Sequence, residues 1–316
     1  MRLVDSSGRE TTDLRASITA ACNFRCVYCH NEGQGEVQAP RGPTNDELGV
    51  DEYDTIFSIA KEFDITTLKI TGGEPMIRRD LEEIVATAKA YMKEVSMTTN
   101  GSLLAARALK LREAGLDRIN VSLDAIDPHA FHELTHGSIT PVLRGIKAAV
   151  EAGITPVKIN MVVFKPTLRY IDDMIRFVGG GEGLTLQLIE FMPELVGKEE
   201  WRVDIGEVKR SLEARASHIE VRPMHHRRIY HIEGARVEVV DPVGNAEFCA
   251  NCHRIRLTAD GKLKGCLNRN DNLIDIRGQD EGGIREGFRK VVAERVPYYG
   301  GFVSDERAVT LPLLVR

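Results

Sequence analysis

Six short apolar segments alternate with helix-like segments over the first 192 residues of this 316-residue chain, and this alternation limits the fold more than any other feature. Because a helix separates each predicted strand from the next, successive strands must run parallel with right-handed crossovers. Six such units predict an α/β fold, a partial (β/α)6 TIM-type barrel rather than a closed eight-fold barrel. The predicted strands are Arg15–Thr19, Thr67–Thr71, Glu94–Thr99, Arg118–Leu123, Pro156–Phe164 and Leu184–Phe191.

The second part of the chain follows a different pattern. Helices of the barrel are expected near residues 51–63, 80–92, 103–114, 140–152 and 169–178. Beyond Phe191 the sequence predicts a helix near 204–214 and β segments at Arg228–Ile232 and Val237–Val240. We therefore expect residues 1–192 to form the barrel and residues 193–316 to form a smaller α+β module that caps its mouth.

Composition narrows the class of protein. The chain is 42% hydrophobic and 28% charged, with no apolar run long enough to cross a bilayer and no apolar signal core at its start. A net charge of −5 argues against a nucleic-acid-binding protein. We expect a cytoplasmic protein without a membrane or nucleic-acid partner.

All six cysteines fall into two triplets, Cys22/Cys26/Cys29 and Cys249/Cys252/Cys266. Their clustering in a long chain favours metal sites over disulfides. An iron–sulfur cluster held by three thiolates keeps one iron open for a second molecule. Structural zinc is the alternative, with His30 or His253 as a fourth ligand. A two-residue hairpin predicted at Asp260-Gly261 would bring Cys266 back toward the other two cysteines of its triplet.

The first triplet has the C-x3-C-x2-C spacing of the radical S-adenosylmethionine (SAM) superfamily, which the chain resembles. Tyr28 matches the aromatic residue that precedes the third cysteine there, and Gly72-Gly73-Glu74-Pro75 resembles the loop that binds the SAM amino group. Glu74 or backbone carbonyls can accept hydrogen bonds from that ammonium. The resemblance implies a SAM pocket lined by Tyr28, Gly72, Gly73, Glu74, Thr99, Asn100, Ser122, Asp124 and Met192.

The segment around the second triplet, from Phe248 to Leu267, resembles the auxiliary-cluster segment of the GTP 3′,8-cyclase (MoaA) family of molybdenum cofactor biosynthesis. This resemblance runs from Asp13 to about Arg277 and includes Lys69-Ile-Thr-Gly-Gly-Glu-Pro. It implies two 4Fe–4S clusters, held by the six cysteines, and GTP as substrate. Catalytic roles are implied for Arg15, Lys158, Arg254 and Arg256, and substrate contacts for the same four residues and Lys69.

The resemblance also implies the reaction and its partners. An adenosyl radical takes the ribose 3′ hydrogen of GTP, and the resulting carbon radical attacks C8 of guanine. A second electron, through the auxiliary cluster, and a proton then quench the aminyl radical to give 3′,8-cyclo-7,8-dihydro-GTP. A one-electron donor of flavodoxin or ferredoxin type would serve the clusters. A cyclic pyranopterin synthase would take the product, and dimers are common in the family.

The Cys29-His30-Asn31-Glu32-Gly33 junction is similar to that of archaeal-type members of the family. Two features depart from the family pattern. Ala20-Ala21 replaces a usual Asp-Arg pair, and the sequence ends in Thr310–Arg316 instead of a Gly-Gly tail. We expect the apolar end to pack on the barrel or on a partner subunit. Two alternatives stay open: a radical SAM paralogue acting on another nucleotide or a peptide, and a zinc-stabilised binding protein.

Overall fold

The computed structural model describes residues 2–33, 46–222 and 224–296. Its central feature is a run of six parallel strands that lie side by side in chain order. Each strand begins and ends within two residues of its predicted bounds. They are β1 Asp13–Ser17, β2 Thr67–Thr71, β3 Glu94–Thr99, β4 Arg118–Ser122, β5 Val157–Val163 and β6 Leu184–Glu190.

Helices follow the strands as the alternation predicts, with one addition after β4. The added helix begins at Pro128, and the Asp127 side chain caps it by accepting from the Ala130 amide at 2.8 Å. Asp followed by Pro at the first helical position is a start signal that the sequence analysis missed. The helices of the barrel are α1 Val50–Glu62, α2 Leu81–Tyr91, α3 Ala108–Glu113, α4 Pro128–Thr135, α5 Ile139–Glu151 and α6 Ile171–Gly179.

The later part of the chain extends this sheet from both edges. One group of strands joins the sheet beside β6, and the other joins it beside β1. In each group, the strand that pairs with the barrel strand is parallel to it. The elements are α7 Ile205–Arg215, β7 His218–Val221, β8 Arg228–Ile232, β9 Ala235–Val240, α8 Ala246–Ala250, β10 Arg254–Leu257, β11 Lys262–Lys264, β12 Ile274–Asp275 and α9 Glu281–Ala293.

The resulting open sheet has the order β12-β11-β10-β1-β2-β3-β4-β5-β6-β9-β8-β7 among the described residues. The α/β fold with a barrel and a C-terminal module is thus confirmed. The strands of the module hydrogen-bond to the barrel strands and continue their sheet. The cap over the barrel mouth and the boundary between residues 192 and 193 stay predictions.

The predicted hairpin is present between β10 and β11, but its loop is longer than expected. The Thr258 amide bonds to the Lys262 carbonyl at 2.9 Å, and the Gly261 amide bonds to the Thr258 carbonyl at 3.1 Å. Gly261 has φ +87°, so a three-residue loop with a left-handed glycine replaces the two-residue turn. The hairpin places Lys264 opposite Arg256.

Alternate residues of the parallel strands face opposite sides of the sheet. On β1, Leu14 and Ala16 are fully buried against the helix layer, whereas Arg15 lies on the inner face. On β5, Ile159 is buried in the core and Lys158 lies on the inner face. The inner face of the sheet is therefore polar, and it positions the candidate site. None of the helices in the described ranges could span a membrane.

Candidate active site

The inner face of the sheet lines a cavity of about 460 Å³, within the range typical of small-molecule sites. Residues from β1 to β6, β9 and β10 contribute to its wall. The cavity brings together all five residues predicted to contact substrate, together with Met192 and the whole second triplet. These predicted residues are Arg15, Lys69, Lys158, Met192, Cys249, Cys252, Arg254, Arg256 and Cys266.

Glu32 joins two of the predicted arginines. Its carboxylate accepts from Arg15 Nη2 at 2.5 Å and from Arg256 Nη1 at 3.0 Å, and Thr71 Oγ1 donates to it at 2.9 Å. Burial opposes ionisation of Glu32, but the two guanidinium groups outweigh it and lower its pKa to about 2. The sequence analysis assigned no role to Glu32, which lies three residues after Cys29.

Glu238 is a second buried carboxylate among several cations. It pairs with Lys158 Nζ at 2.6 Å, Arg222 Nη1 at 3.1 Å and Arg227 Nε at 3.2 Å. Gln187 Nε2 also donates to it at 2.9 Å. Although burial opposes ionisation, the neighbouring cations lower the pKa of Glu238 to about 2. The cavity therefore holds more cationic side chains than the sequence predicted.

Lys69 lies between these groups with no carboxylate partner in the parts of the chain that the structure describes. Its ammonium donates to Asn120 Oδ1 at 3.2 Å. Burial, followed by the positive charges of Arg254 and Arg15, lowers the pKa of Lys69 well below its usual value. An anion in the cavity would oppose both effects, so Lys69 favours a negatively charged ligand.

The second triplet lies at the amino-terminal end of the barrel strands. Cys252 comes two residues before Arg254, which is in register with Asp13 at the start of β1. Arg9 donates to the Cys249 carbonyl at 2.9 Å, and Arg295 donates to the Cys252 carbonyl. Arginines thus hold the cysteine loop through its backbone carbonyls.

The first triplet lies at the other end, on the loop that follows β1. Burial raises the pKa of the Cys22 thiol to about 11 and that of Cys26 well above its usual value. Glu74 raises the first further, and Asp124 the second. Buried thiolates beside carboxylates require a compensating cation, and bound iron supplies one. The donor chemistry of this loop therefore fits an iron–sulfur cluster.

A single metal ion would need ligands that converge on one point. Among the described residues, no three His, Cys, Asp or Glu side chains are grouped in that way. A cluster of several irons binds each thiolate at a different iron, so its cysteines need not converge. The proposed zinc ligands have other contacts: His30 Nδ1 accepts from the Gly33 amide at 3.2 Å, and His253 Nδ1 bonds to the Glu10 carbonyl at 3.0 Å.

The Gly72-Gly73 loop packs directly against the first cysteine loop. A Cβ at Gly73 would lie 2.1 Å from the Ala21 carbonyl oxygen, and one at Gly72 would lie 2.4 Å from the Thr19 carbonyl oxygen. Gly72 also has φ +151°, which side chains rarely allow. Glycine is therefore required at both positions for the two loops to meet.

Glu74 is fully buried and joins the ends of two strands. Its carboxylate accepts from the Met76 amide at 3.0 Å, Thr99 Oγ1 at 2.7 Å and the Asn100 amide at 2.6 Å. Asn100 in turn donates to Asn23 Oδ1, within the first cysteine loop, at 2.8 Å. Glu74 thus links its own loop to the end of β3, and through Asn100 to the first cysteine loop.

Tyr28 and Asp124 form a second connection to the same loop. The Tyr28 hydroxyl donates to Asp124, whose other oxygen accepts from the Val162 amide at 2.8 Å. Burial raises the pKa of Asp124 to about 6. Ser122 ends β4 just before this pair. The predicted SAM-pocket residues other than Met192 therefore gather at the carboxyl ends of β1 to β4, as barrel logic requires.

Adjacent histidines on a strand point to opposite faces, so the sequence predicts that His225–Arg228 lies mostly on the surface, and for two residues this is wrong. His226 and Arg228 are exposed, but His225 is only 7% exposed and lines the cavity with Arg227. The segment is not an extended strand here, because His225 and His226 both have positive φ. Sequence periodicity gave no signal of this kink.

Comparisons with known proteins agree with this arrangement. Residues 16–178 match the Radical SAM superfamily, and residues 184–300 match Molybdenum Cofactor Synthesis C. The "Probable GTP 3',8-cyclase" of Halobacterium salinarum (strain ATCC 29341 / DSM 671 / R1) is 49% identical, covering 96% of this chain and 91% of the relative. The chain belongs to the GTP 3′,8-cyclase family. It is a radical SAM enzyme, with SAM and an iron–sulfur cluster as its cofactors.

Other relatives and solved structures support the same family and fold. Proteins of the same name from Methanosarcina mazei and Sulfurisphaera tokodaii are 46% and 40% identical, covering 96% and 94% of this chain and 92% and 97% of theirs. SuiB of Streptococcus suis, solved with S-adenosylmethionine, has a TM-score of 0.65 at 16% identity, covering 89% of this chain and 72% of SuiB. The anSMEcpe structure has a TM-score of 0.63 at 15% identity, covering 89% and 81%. These structures bear on the fold alone.

Proposed function

We propose that this enzyme uses two 4Fe–4S clusters to convert GTP to (8S)-3′,8-cyclo-7,8-dihydroguanosine 5′-triphosphate, a step of molybdenum cofactor biosynthesis. The observation that carries the proposal is a cationic cavity with one cysteine triplet at each end of the strands. β1 separates the two ends by about 15 Å. A nucleoside triphosphate is long enough to reach from one end toward the other.

The carboxyl end of the barrel would hold the first cluster and SAM. Cys22, Cys26 and Cys29 would bind three irons, and the open iron would bind SAM. Because every Glu74 oxygen already accepts a hydrogen bond inside the protein, the loop carbonyls are the better acceptors for the SAM ammonium. We therefore assign Glu74 and Asp124 to positioning the pocket. Tyr28, Thr99, Asn100, Ser122 and Met192 would complete it.

The middle of the cavity would hold the triphosphate. Arg15, Lys69 and Arg256 are cations on adjacent strands of one inner face, and arginine forks match phosphate oxygens. Lys158 and Arg254 extend this surface on either side. A bound triphosphate would supply the negative charge that Lys69 lacks and would compete with Glu32 for its two arginines.

The amino end would hold the second cluster through Cys249, Cys252 and Cys266. When bound, SAM and the first cluster supply one-electron cleavage of SAM and abstraction of a substrate hydrogen. The protein's own residues hold the ribose toward the first loop and exclude water from the cavity.

A flavodoxin- or ferredoxin-type protein would supply electrons, and a cyclic pyranopterin synthase would take the product. A homodimer stays a prediction. The sequence end at Thr310–Arg316, expected to pack on the barrel or a partner subunit, lies outside the described residues.

Anaerobic turnover of the reconstituted enzyme with SAM, dithionite and GTP tests the proposal. Mass spectrometry should detect 5′-deoxyadenosine and the cyclised nucleotide in equal amounts, and Cys22→Ala should abolish both. Cleavage of SAM with unchanged GTP would overturn the substrate assignment and direct the search to other nucleotides and then peptides. Iron and sulfide content would test the second cluster, because Cys266→Ala should halve it.

A further inference from the structure

One wall of the cavity is aromatic and differs from the cationic surface in its middle. The His225 ring stacks on the Phe248 ring, with centroids 3.9 Å apart and planes 8° from parallel. Both residues line the cavity, and Phe248 immediately precedes Cys249. The His225 amide bonds to the Asn251 carbonyl at 3.3 Å, which attaches this wall to the second cysteine loop.

His225 has hydrogen-bonding capacity that the protein does not use. It is 7% exposed, yet neither ring nitrogen has a hydrogen-bonding partner among the described residues. Asn268 is 4% exposed and also lies on the cavity wall, and its side-chain amide oxygen likewise has no hydrogen-bonding partner among the described residues. A buried polar atom without a partner loses its hydrogen bonds to water without replacement, so such atoms indicate a ligand that supplies the missing bond.

The charge of this wall selects the part of a nucleotide that it can bind. Burial, followed by the nearby Arg227 and Arg254, lowers the pKa of His225 to about 2, so the imidazole is neutral. A neutral ring with one donor and one acceptor is a poor phosphate ligand beside so many arginines. It suits a nucleobase, whose edge offers both donors and acceptors and whose face can lie along an aromatic wall.

The backbone at His225 is consistent with a functional constraint. Its φ of +61° and ψ of +10° lie in the left-handed region, which non-glycine residues seldom adopt. This conformation turns the side chain into the cavity, while the next residue, His226, is exposed and bonds to Glu247 at 2.7 Å. Residues in such conformations cluster at ligand-binding sites.

We propose that His225, stacked on Phe248, hydrogen-bonds to the nucleobase of the bound nucleoside triphosphate and determines which base the enzyme accepts. Asn268, two residues after Cys266 on the wall of the same cavity, contributes a second polar contact. This inference rests on the proposed function, since it takes a nucleotide as the ligand of the cavity.

Equilibrium binding to the reconstituted enzyme tests the inference, with GTP and inorganic tripolyphosphate as probes. His225→Phe keeps the stacked ring and removes both nitrogens, and His225→Gln keeps a donor and an acceptor. His226→Phe is the matched control, because it makes the same change at the exposed neighbour. We expect His225→Phe to weaken GTP binding about 10-fold or more and to leave tripolyphosphate binding unchanged. His225→Gln should recover most of the GTP affinity, and His226→Phe should match the wild type.

Three results would overturn the inference. The first is an unchanged GTP affinity in His225→Phe, and the second is an equal loss of GTP and tripolyphosphate binding, which would indicate a structural role. The third is an altered EPR spectrum of the second cluster without nucleotide, which would make His225 an iron ligand. Failure of the proposed function is distinct, because the wild-type enzyme itself would then neither bind nor convert GTP.

Discussion

The two cysteine triplets lie at opposite ends of the barrel strands, and the protein holds them by opposite means. At the carboxyl end of the strands, the buried carboxylates of Glu74 and Asp124 accept hydrogen bonds from backbone amides and from side chains of the loops. At the amino end, Arg9 and Arg295 donate to cysteine carbonyls.

This difference indicates that the two ends of the strands have different functions. Carboxylates close to the first triplet disfavour free thiolates, so that loop depends on its metal for charge balance. At the second triplet the arginines donate to backbone carbonyls, and the three cysteines line the cavity where substrate would bind. We therefore expect the first end to serve SAM cleavage and the second end to serve the substrate.

The largest effects should come from removing one thiol at each end. Cys22→Ala should abolish formation of 5′-deoxyadenosine, since the first cluster would be lost. Cys266→Ala should retain SAM cleavage and lose the cyclised product by about 1000-fold or more, because only the substrate end is damaged. Quantifying both products by mass spectrometry checks this. If Cys266→Ala suppressed SAM cleavage as severely as Cys22→Ala, the division between the ends would be wrong.

The next effect concerns the cations between the ends. Lys69→Met should weaken GTP and tripolyphosphate binding about 10- to 100-fold, the usual range for a charge-assisted hydrogen bond. SAM binding should be unaffected. Lys262→Met is the matched control, because Lys262 pairs with Asp260 on the hairpin at 2.7 Å. Equal losses in both variants, measured by equilibrium dialysis, would count against an anion site at Lys69.

A smaller effect, in the opposite direction, is expected from Glu32→Gln. The substitution removes the charge that competes with phosphate for Arg15 and Arg256, so tripolyphosphate should bind about 3- to 10-fold more tightly. Glu94→Gln, which frees a different cavity-lining arginine, Arg118, is the control. Weaker binding in Glu32→Gln would instead mean that Glu32 holds the two guanidinium groups in place for the ligand.

The smallest effects should come from the supports of the two loops. Tyr28→Phe removes the hydroxyl that bonds to Asp124 and should lower SAM cleavage by about 10-fold or less, with little change in GTP affinity. Arg295→Met removes the bond to the Cys252 carbonyl and should lower GTP affinity while leaving SAM cleavage intact. SAM cleavage and GTP affinity should be measured for both variants. Equal losses of SAM cleavage and GTP affinity in both variants would show that these side chains act on overall stability.

Local sequence signals predicted much of the site. Local patterns predicted the six strands and the loops after them, and the family resemblance implied the five cations Arg15, Lys69, Lys158, Arg254 and Arg256, which do share one cavity. Strand periodicity explains why these residues lie together, because parallel strands place alternate residues on one face and loop residues at one edge.

Glu32 and His225 were missed for physical reasons. Glu32 looks like an ordinary loop residue, and its role depends on contacts with Arg15 and Arg256, which lie 17 and 224 positions away in the chain. His225 was expected on the surface because a strand was assumed there, and two successive left-handed residues change its direction. Neither pairing across the chain nor positive φ at histidine leaves a periodic signal.

The sequence by itself determined the order of strands and helices, the two cysteine triplets and the family, because each depends on residues that are close in the chain. Tertiary structure decided that the later strands extend the sheet at both edges and that the triplets lie at opposite ends of the barrel strands. It also decided that Glu32 and Glu238 each pair with several cations, whereas Lys69 has no carboxylate partner among the described residues. These outcomes depend on strand pairing between distant segments and on burial of charge, and both exist only once the chain has folded.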